Sequence, residues 1–399
     1  MSKDFPAAVL KGIRVLDFGR FIAGPYCAAL LADLGAEVIR IERVEGGEDR
    51  FLMPVADDGA GALFLSMNRN KRSLTLDPGS PEGRAIVARL VARSDVVVAN
   101  LPPDVLKSLG LDLDSLRTIK PDIILTTTTA FGAGGPWSSR HGFDGIGQAM
   151  SGAVYLSGTP SQPVRSATHW VDFGTACLSA FGTLAALMAR GQSGEGQKVE
   201  TALLQTAIAF GNGLLIEQAL ANTQREALVN RGFTAAPSDI FRTRDGWVMV
   251  ACIGNPMFRR VAKMLGEDAW LEDPRFHDDL ARGRHGEEIS ARVSGWCAER
   301  TSEEVLAAFA AVSVPAAPVL SPQQALDHPH IKATGMLTPV DYPGALAPAP
   351  LAKMPFTLSA AEDLPDQRAP RLGEHTDEIL AELGYTQTDI DGFRARRVV

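Results

Sequence analysis

Between residues 13 and 132 the chain alternates short, uninterrupted apolar runs with segments of helical texture, and this order limits the fold more than any other feature. IRVLDF is followed by GPYCAALLADLG, AEVIRIE, SLTLD, PEGRAIVARLVARS, DVVVAN and, after two short helical pieces, DIILTTTTAFG. A strand with one wet face alternates apolar and polar residues. A run such as VVVA does not, so both of its faces must be covered. Apolar strands joined by helices predict a parallel sheet with helices on both sides, an α/β fold with a Rossmann-like large domain. Asp77 and Pro81 are start signals for one crossover helix, because a proline in the first turn gives up an N–H that has no partner there.

At 399 residues the chain exceeds one typical core, and its texture changes after about residue 225. Residues 198–228 read as one long helical pattern interrupted near Gly211 and Gly213. SDIFRTRDGWVMVACI then places two β-like runs around Asp245-Gly246, a strong hairpin signal. Helical stretches follow at about 256–266 and 287–312, before the proline-rich VPAAPVLSPQQAL. The predicted organisation is a large domain from 1–200, a helical linker at 201–225, a smaller α+β domain at 226–320 and a final segment, 321–399, of loops with one closing helix, HTDEILAELG.

A formal net charge of −8 argues against nucleic acid as a partner, which would call for a basic face. Cys27, Cys177, Cys252 and Cys297 lie far apart with no C-x-x-C spacing for metal or redox work, and are expected to be reduced thiols of a cytoplasmic protein. The N-terminal stretch carries Asp4 and no long apolar run, unlike a signal peptide. The uncharged windows 173–189 and 201–216 fall short of a membrane span and are rich in small and polar residues, so buried core helices are expected and a membrane partner is not.

The turn after the first strand, Phe18-Gly19-Arg20-Phe21-Ile22-Ala23-Gly24-Pro25, is neither G-x-G-x-x-G nor a P-loop. Glu42 ends the second strand where an NAD ribose ligand would sit, but Arg43 follows and the glycines are missing, which argues against a nicotinamide enzyme. A helix starting near Pro25 can still present free N–H groups to an anion. Arg20, Arg43, Lys71 and Arg72 fall at or near strand ends, and in a doubly wound sheet the C-terminal strand ends share one crevice, where these charges can converge. A ligand with several phosphates suits that set, although any one of them alone reads as a surface cation.

HWVDFGTACLSAFGTLAALMAR, residues 169–190, holds one carboxylate, Asp172, followed by 17 uncharged residues. Asp172 fits a helix N-cap, a common structural role. Gly174, Ala176, Ser179, Ala180 and Gly182 let other backbone approach closely, which places this end deep in the molecule. A carboxylate held there by helix N–H groups stays ionised where water is scarce, and a poorly hydrated carboxylate is the better nucleophile. Asp144, in HGFDGIGQAMSG, precedes a second small-residue segment 28 residues earlier, and the two acids can face a common cavity.

Several long blocks resemble the class III CoA-transferases, the family of formyl-CoA transferase and carnitine CoA-transferase that also includes α-methylacyl-CoA racemase. They are LKGIRVLDFGRFIAGPYCAALLADLGAEVIRIERVEGGEDR, LSMNRNKRSLTLD, GFDGIGQAMSGAVYLSG, VDFGTACLSAFGTLAALMARGQSGEGQKVETALL and LGEHTDEILAELGY, which run through essentially the whole chain in order. The resemblance implies a large Rossmann-like domain that the C-terminal segment returns to complete, a small domain, and an interlocked homodimer. It implies no cofactor beyond a coenzyme A thioester as cosubstrate, with an acyl-CoA and a small carboxylic acid as partners. Asp172 corresponds to the nucleophile, which forms a mixed anhydride and then an aspartyl-CoA thioester. Asp144 matches an acidic position beside the active site. The CoA-contacting positions carry over to Arg20, Phe21, Ala23, Arg43, Met67, Lys71, Asn100 and Leu101.

Some positions depart from the family pattern. Arg20 stands where formyl-CoA transferase has a neutral or weakly basic residue, Ser108 replaces a basic one, and Arg231-Gly-Phe-Thr-Ala-Ala-Pro-Ser238 lies where that enzyme has a four-glycine loop, so oxalate is not implied. The racemase branch carries a proton-exchanging His where this chain has Phe143, with only His141 and His169 nearby, which favours transfer over racemisation. Arg20, Arg140, Arg165 and Arg231 are candidates to pair with a second carboxylate of a dicarboxylic acid such as succinate.

Overall fold

The continuous apolar runs become strands because each meets a neighbour on both edges and a helix layer on both faces. A computed structural model of the chain describes residues 8–360 and 366–399. In chain order it forms β1 (Arg14–Asp17), α1 (Ala23–Asp33), β2 (Glu37–Glu42), α2 (Ala62–Met67), β3 (Lys71–Thr75), α3 (Pro81–Val91), β4 (Val96–Ala99), α4 (Pro103–Ser108), α5 (Leu113–Ile119), β5 (Ile124–Thr129) and α6 (Asp144–Met150). Two-residue strands β6 (Gly158–Thr159) and β7 (Gln162–Pro163) precede α7 (Trp170–Ser193), β8 (Lys198–Ala202) and α8 (Leu203–Ala221).

Six strands make one parallel sheet in the order β3-β2-β1-β4-β5-β8. Register sets Leu16 beside Ile39 and Val97, and Val97 beside Leu125. These four face one core with Ile86, Val87 and Leu90 of α3 and with Ile379, Leu380, Ile390 and Phe393 from the C-terminal helices. Val15, Val38, Val96, Val98 and Ile124 face the other core, against Cys27, Leu30 and Leu31 of α1 and Ala176, Ala180 and Ala186 of α7. Both faces are therefore dry, the arrangement that the unbroken apolar runs imply.

The small residues of α7 have the expected use. A side chain on Gly182 would put its Cβ 2.7 Å from Val199 of β8. Hydroxyls stitch the helix to the sheet, Thr183 to Thr126 at 2.6 Å and Ser179 to Thr201 at 2.8 Å.

Some expectations need correction. Residues 198–228 are not one helical pattern: KVETA pairs with β5 as the sheet's sixth strand, the helix starts only at Leu203, and Gly211 and Gly213 lie within it without interrupting it. Nor are the two uncharged windows wholly buried. In α7, a helix of 24 residues and apolar enough by composition to cross a bilayer, one face packs inward while Leu178, Phe181 and Met188 stay exposed. On α8, Phe210, Leu214, Leu215, Ile216 and Leu220 are exposed, Leu220 at 85%.

The chain divides into two compact units, one running to Ser151 and including Ser166–Gly213 and everything from Thr334, the other Gly152–Arg165 with Leu214–Ala333. The sequence texture marks 226–320 as the small domain, whereas the second unit takes in more chain at each end and also residues 152–165. In it, β9 (Ser238–Arg242) and β10 (Trp247–Ala251) form the hairpin around Asp245-Gly246, with β11 (Ala316–Pro318) on the other edge of β10. Helices α9 (Asn255–Leu265), α10 (Asp279–Arg284), α11 (Gly286–Ala298) and α12 (Ser302–Ala311) complete an α+β unit around Phe241, Val250, Phe258, Val293 and Phe309. The stretch 287–312 is two helices, because Thr301 and Glu304 form a capping box that starts α12 anew.

Candidate active site

The strand order reverses between β1 and β4, and in an open parallel sheet the crevice at such a point, beyond the C-terminal strand ends, is the ligand site. Arg20 follows β1 and Asn100 follows β4. The Asn100 amide clasps the turn from both sides, its Oδ1 accepting from the Arg20 N–H at 2.7 Å and its Nδ2 donating to the Arg20 carbonyl at 2.8 Å. Phe21 is thereby held at φ 60°, a left-handed conformation unusual for a bulky residue, with its ring edge-on to Phe143 at 5.6 Å.

Two cavities open here and share Arg20 and Leu101. The first, of about 250 Å³, is lined by Phe21, Ala23, Asn100, Arg140, His141, Phe143 and Asp172, among others. That is below the range of roughly 300–1,000 Å³ usual for drug-sized ligands, so it suits an acyl group or a small acid. The second, of about 620 Å³, is lined by apolar Phe18, Ile41, Leu76, Val105 and Leu109; its rim mixes Arg43, Arg396 and Arg397 with Glu45 and Asp77, and each arginine has a carboxylate within 4 Å, Glu48, Glu82 and Glu45 respectively.

Asp172 is buried, 8% exposed, at the start of α7. It is not the N-cap: His169 takes that position and gives no side-chain cap. The cap comes from Asp144, whose Oδ1 accepts the Val171 N–H at 2.8 Å and the Asp172 N–H at 3.2 Å. Its Oδ2 accepts from Gln148 Nε2 at 2.5 Å, and Gln148 Oε1 accepts the Ser166 N–H at 2.9 Å. The helix N–H groups expected to hold Asp172 ionised thus belong to its neighbour. Among the described residues nothing donates to the Asp172 carboxylate. Burial first, and the negative charge of Asp144 second, push its pKa up to about 7.

The structure separates the expected CoA-contacting residues. Arg20, Phe21, Ala23, Asn100 and Leu101 line the first cavity, and Arg43 lines the second with Arg20 and Leu101. Met67 and Lys71 line neither and are buried. The Lys71 ammonium donates to Asp17 at 2.7 Å, the Pro25 carbonyl at 2.7 Å and Asn68 at 3.0 Å, so its three donors are used inside the protein and it offers no charge to a ligand. Burial pulls its pKa down to about 8 against the pull of Asp17. Arg20 is tied to Glu48 and Asp49, and Arg72 to Glu37 and Glu382. Glu42 grips Arg50 through both oxygens, at 3.0 and 2.6 Å, and is no ribose ligand. Sequence reasoning missed Arg396 and Arg397, although the basic cluster in FRARRVV was the available signal. Arg165 and Arg231 belong to the second unit, where Arg231 lies 3.9 Å from Glu287.

A doubly wound sheet with two adjoining cavities at its switch point, one holding a buried carboxylate, defines an α/β protein with a ligand site at the strand ends. The sequence model of CoA-transferase family III matches residues 10–376, and the chain belongs to that family and is a CoA-transferase. It is 33% identical over 409 residues to the succinyl-CoA–D-citramalate CoA-transferase of Chloroflexus aurantiacus, covering 100% of each chain. It is also 33% identical to the succinate–glutarate CoA-transferase of Agrobacterium fabrum, covering 94% of this chain and 95% of that one. The crystal structure of a CaiB/BaiF family protein from Brucella suis matches with a TM-score of 0.83 at 31% identity, over 94% of this chain and 99% of that one. The resemblance read from the sequence blocks is confirmed.

Proposed function

We propose that the enzyme moves CoA from an acyl-CoA, of which succinyl-CoA is the model, to a small carboxylic acid by covalent catalysis on Asp172. One observation carries the reading: a buried carboxylate with no hydrogen-bond donor among the described residues faces a small cavity. Such a group is poorly solvated and reactive once ionised, and it needs no base to activate it. The Asp172 oxygen attacks the thioester carbonyl, the C–S bond breaks, and CoA leaves as the thiolate. That thiolate attacks the Asp172 carbonyl of the mixed anhydride, releasing the donor acid as its carboxylate and leaving an aspartyl-CoA thioester. The acceptor carboxylate runs the same steps in reverse. Asp144 positions the nucleophile by capping α7 and forms no covalent bond.

In this reading the nucleotide end of CoA lies in the larger cavity, its adenine on the apolar wall and its phosphates toward Arg43, Arg396 and Arg397. The pantetheine passes Arg20 and Leu101 toward Asp172. The exposed apolar faces of α7 and α8 support a homodimer, since a monomer rarely leaves such surface in water. We read its workplace as the cytoplasm, without a membrane or nucleic-acid partner.

The test is intact-mass spectrometry after incubation with succinyl-CoA. A CoA-sized adduct that maps to Asp172 and is missing from Asp172→Asn supports the mechanism, and normal CoA exchange by that variant overturns it. His141 lines the same cavity, so the racemase alternative has its own check: α-deuterium uptake from heavy water by a branched acyl-CoA, without an acceptor acid, would favour it.

A further inference from the structure

Two arginines line the Asp172 cavity, and they differ in what holds them. The guanidinium of Arg20 is paired with Glu48 and Asp49, so most of its charge is spent within the protein. Arg140 has no carboxylate partner among the described residues. Its guanidinium lies over the Trp137 indole, 4.1 Å from the ring centroid, and its backbone N–H donates to the Trp137 carbonyl at 2.9 Å. Trp137 is braced in turn by Phe131, edge to face at 5.4 Å. A guanidinium resting on a ring is held by one of its flat faces while its N–H edges stay available, and those edges match a carboxylate bidentately.

We infer that Arg140 selects dicarboxylic acids by gripping the carboxylate that does not react. The inference rests on the CoA-transfer reading of this cavity and deepens it. A dicarboxylate brings two negative charges toward a site whose nucleophile must itself be an anion, an approach that a cation in the cavity wall with no carboxylate partner among the described residues offsets. A monocarboxylic acid of equal length brings only the reacting carboxylate and leaves Arg140 idle. Held at its far end, the dicarboxylate has its near carboxylate, or its thioester carbon, directed toward Asp172.

Succinate and butyrate, equal in chain length, are the probes. Their binding to the full-length enzyme in the presence of CoA is measured by isothermal titration calorimetry for wild type, Arg140→Leu and Arg140→Lys. Wild type is expected to prefer succinate. The preference ratio should fall about 10- to 100-fold in Arg140→Leu, as for loss of a charged hydrogen-bonded pair, and partly return in Arg140→Lys. The residue sits in an exposed loop, and circular dichroism verifies that each variant is folded. The proposal falls if wild type shows no preference, binds neither acid, or keeps its preference without Arg140. Asp172→Asn separates the two readings: exchange persisting in that variant removes the covalent mechanism, while its succinate preference still reports on Arg140.

Discussion

The two cavities meet at Arg20, yet their charged groups are buried on opposite terms. Around the larger one every deep ion has a partner. Arg40 bonds Asp49 at 2.5 Å, Arg50 clamps Glu42 and lies over the Phe64 ring at 3.8 Å, and Lys71 is enclosed by Asp17, Pro25 and Asn68. In the smaller one Asp172 is nearly as buried and receives no hydrogen bond from the described residues, while the adjacent Asp144 collects three N–H donors. Paired burial fixes the turn between β1 and α1 in place. Unpaired burial keeps a carboxylate desolvated at a cost in stability, which is how a reactive group is stored.

The contrast breaks first on activity. Replacing Asp172 by Asn or Ala should lower kcat for CoA exchange by about a thousandfold or more, measured with succinyl-CoA as donor. Next comes the paired region. Lys71→Met removes the nearer of the two cations beside buried Asp17, leaving Arg40 at 3.6 Å, and should destabilise the fold by about 3 kcal/mol in chemical denaturation. Asp172→Asn should do the reverse. The folded state holds the Asp172 proton up to about pH 7, whereas an unfolded Asp releases it near pH 4. Stability therefore falls as pH rises through that window, and the loss is complete above it. The Asn variant should gain about 2–4 kcal/mol over wild type at pH 8, a gain absent below about pH 4.

Smaller effects sharpen the same comparison. In the proposed mechanism the ionised form of Asp172 attacks, so wild-type kcat/KM should climb as pH rises through about 7 and then level off. Asp144→Asn removes the second cause of the raised pKa, so the climb should move to lower pH, with a stability loss of about 1 kcal/mol as the amide sets a donor against Gln148. Arg396→Gln with Arg397→Gln should raise KM for the acyl-CoA only about two- to fivefold, and more at low salt, since both lie on an exposed rim.

The sheet was legible because covering both faces of a strand leaves its mark on every residue, as VVVA and IRVLD show. The hairpin was legible from Asp245-Gly246. Ligand-facing cations were less so. Lys71 and Arg43 both sit at or near strand ends in the sequence, but Lys71 opens β3 while Arg43 follows the last residue of β2, so they stand at opposite ends of their strands, and one meets Asp17 inside while the other faces a cavity. Asp172 reads as a cap because a cap from its own helix is the commoner case. A cap delivered from 28 residues upstream leaves no local pattern.

That remote cap also governs how the chain leaves and re-enters the first unit. Residues 152–165 belong to the other unit, but the strands of chain on either side are fastened together, Asp144 to Val171 and Gln148 to Ser166. The excursion is a loop with its neck tied. Insertions, deletions or thermal wandering within it end at the knot, and the Asp172 carboxylate keeps its address.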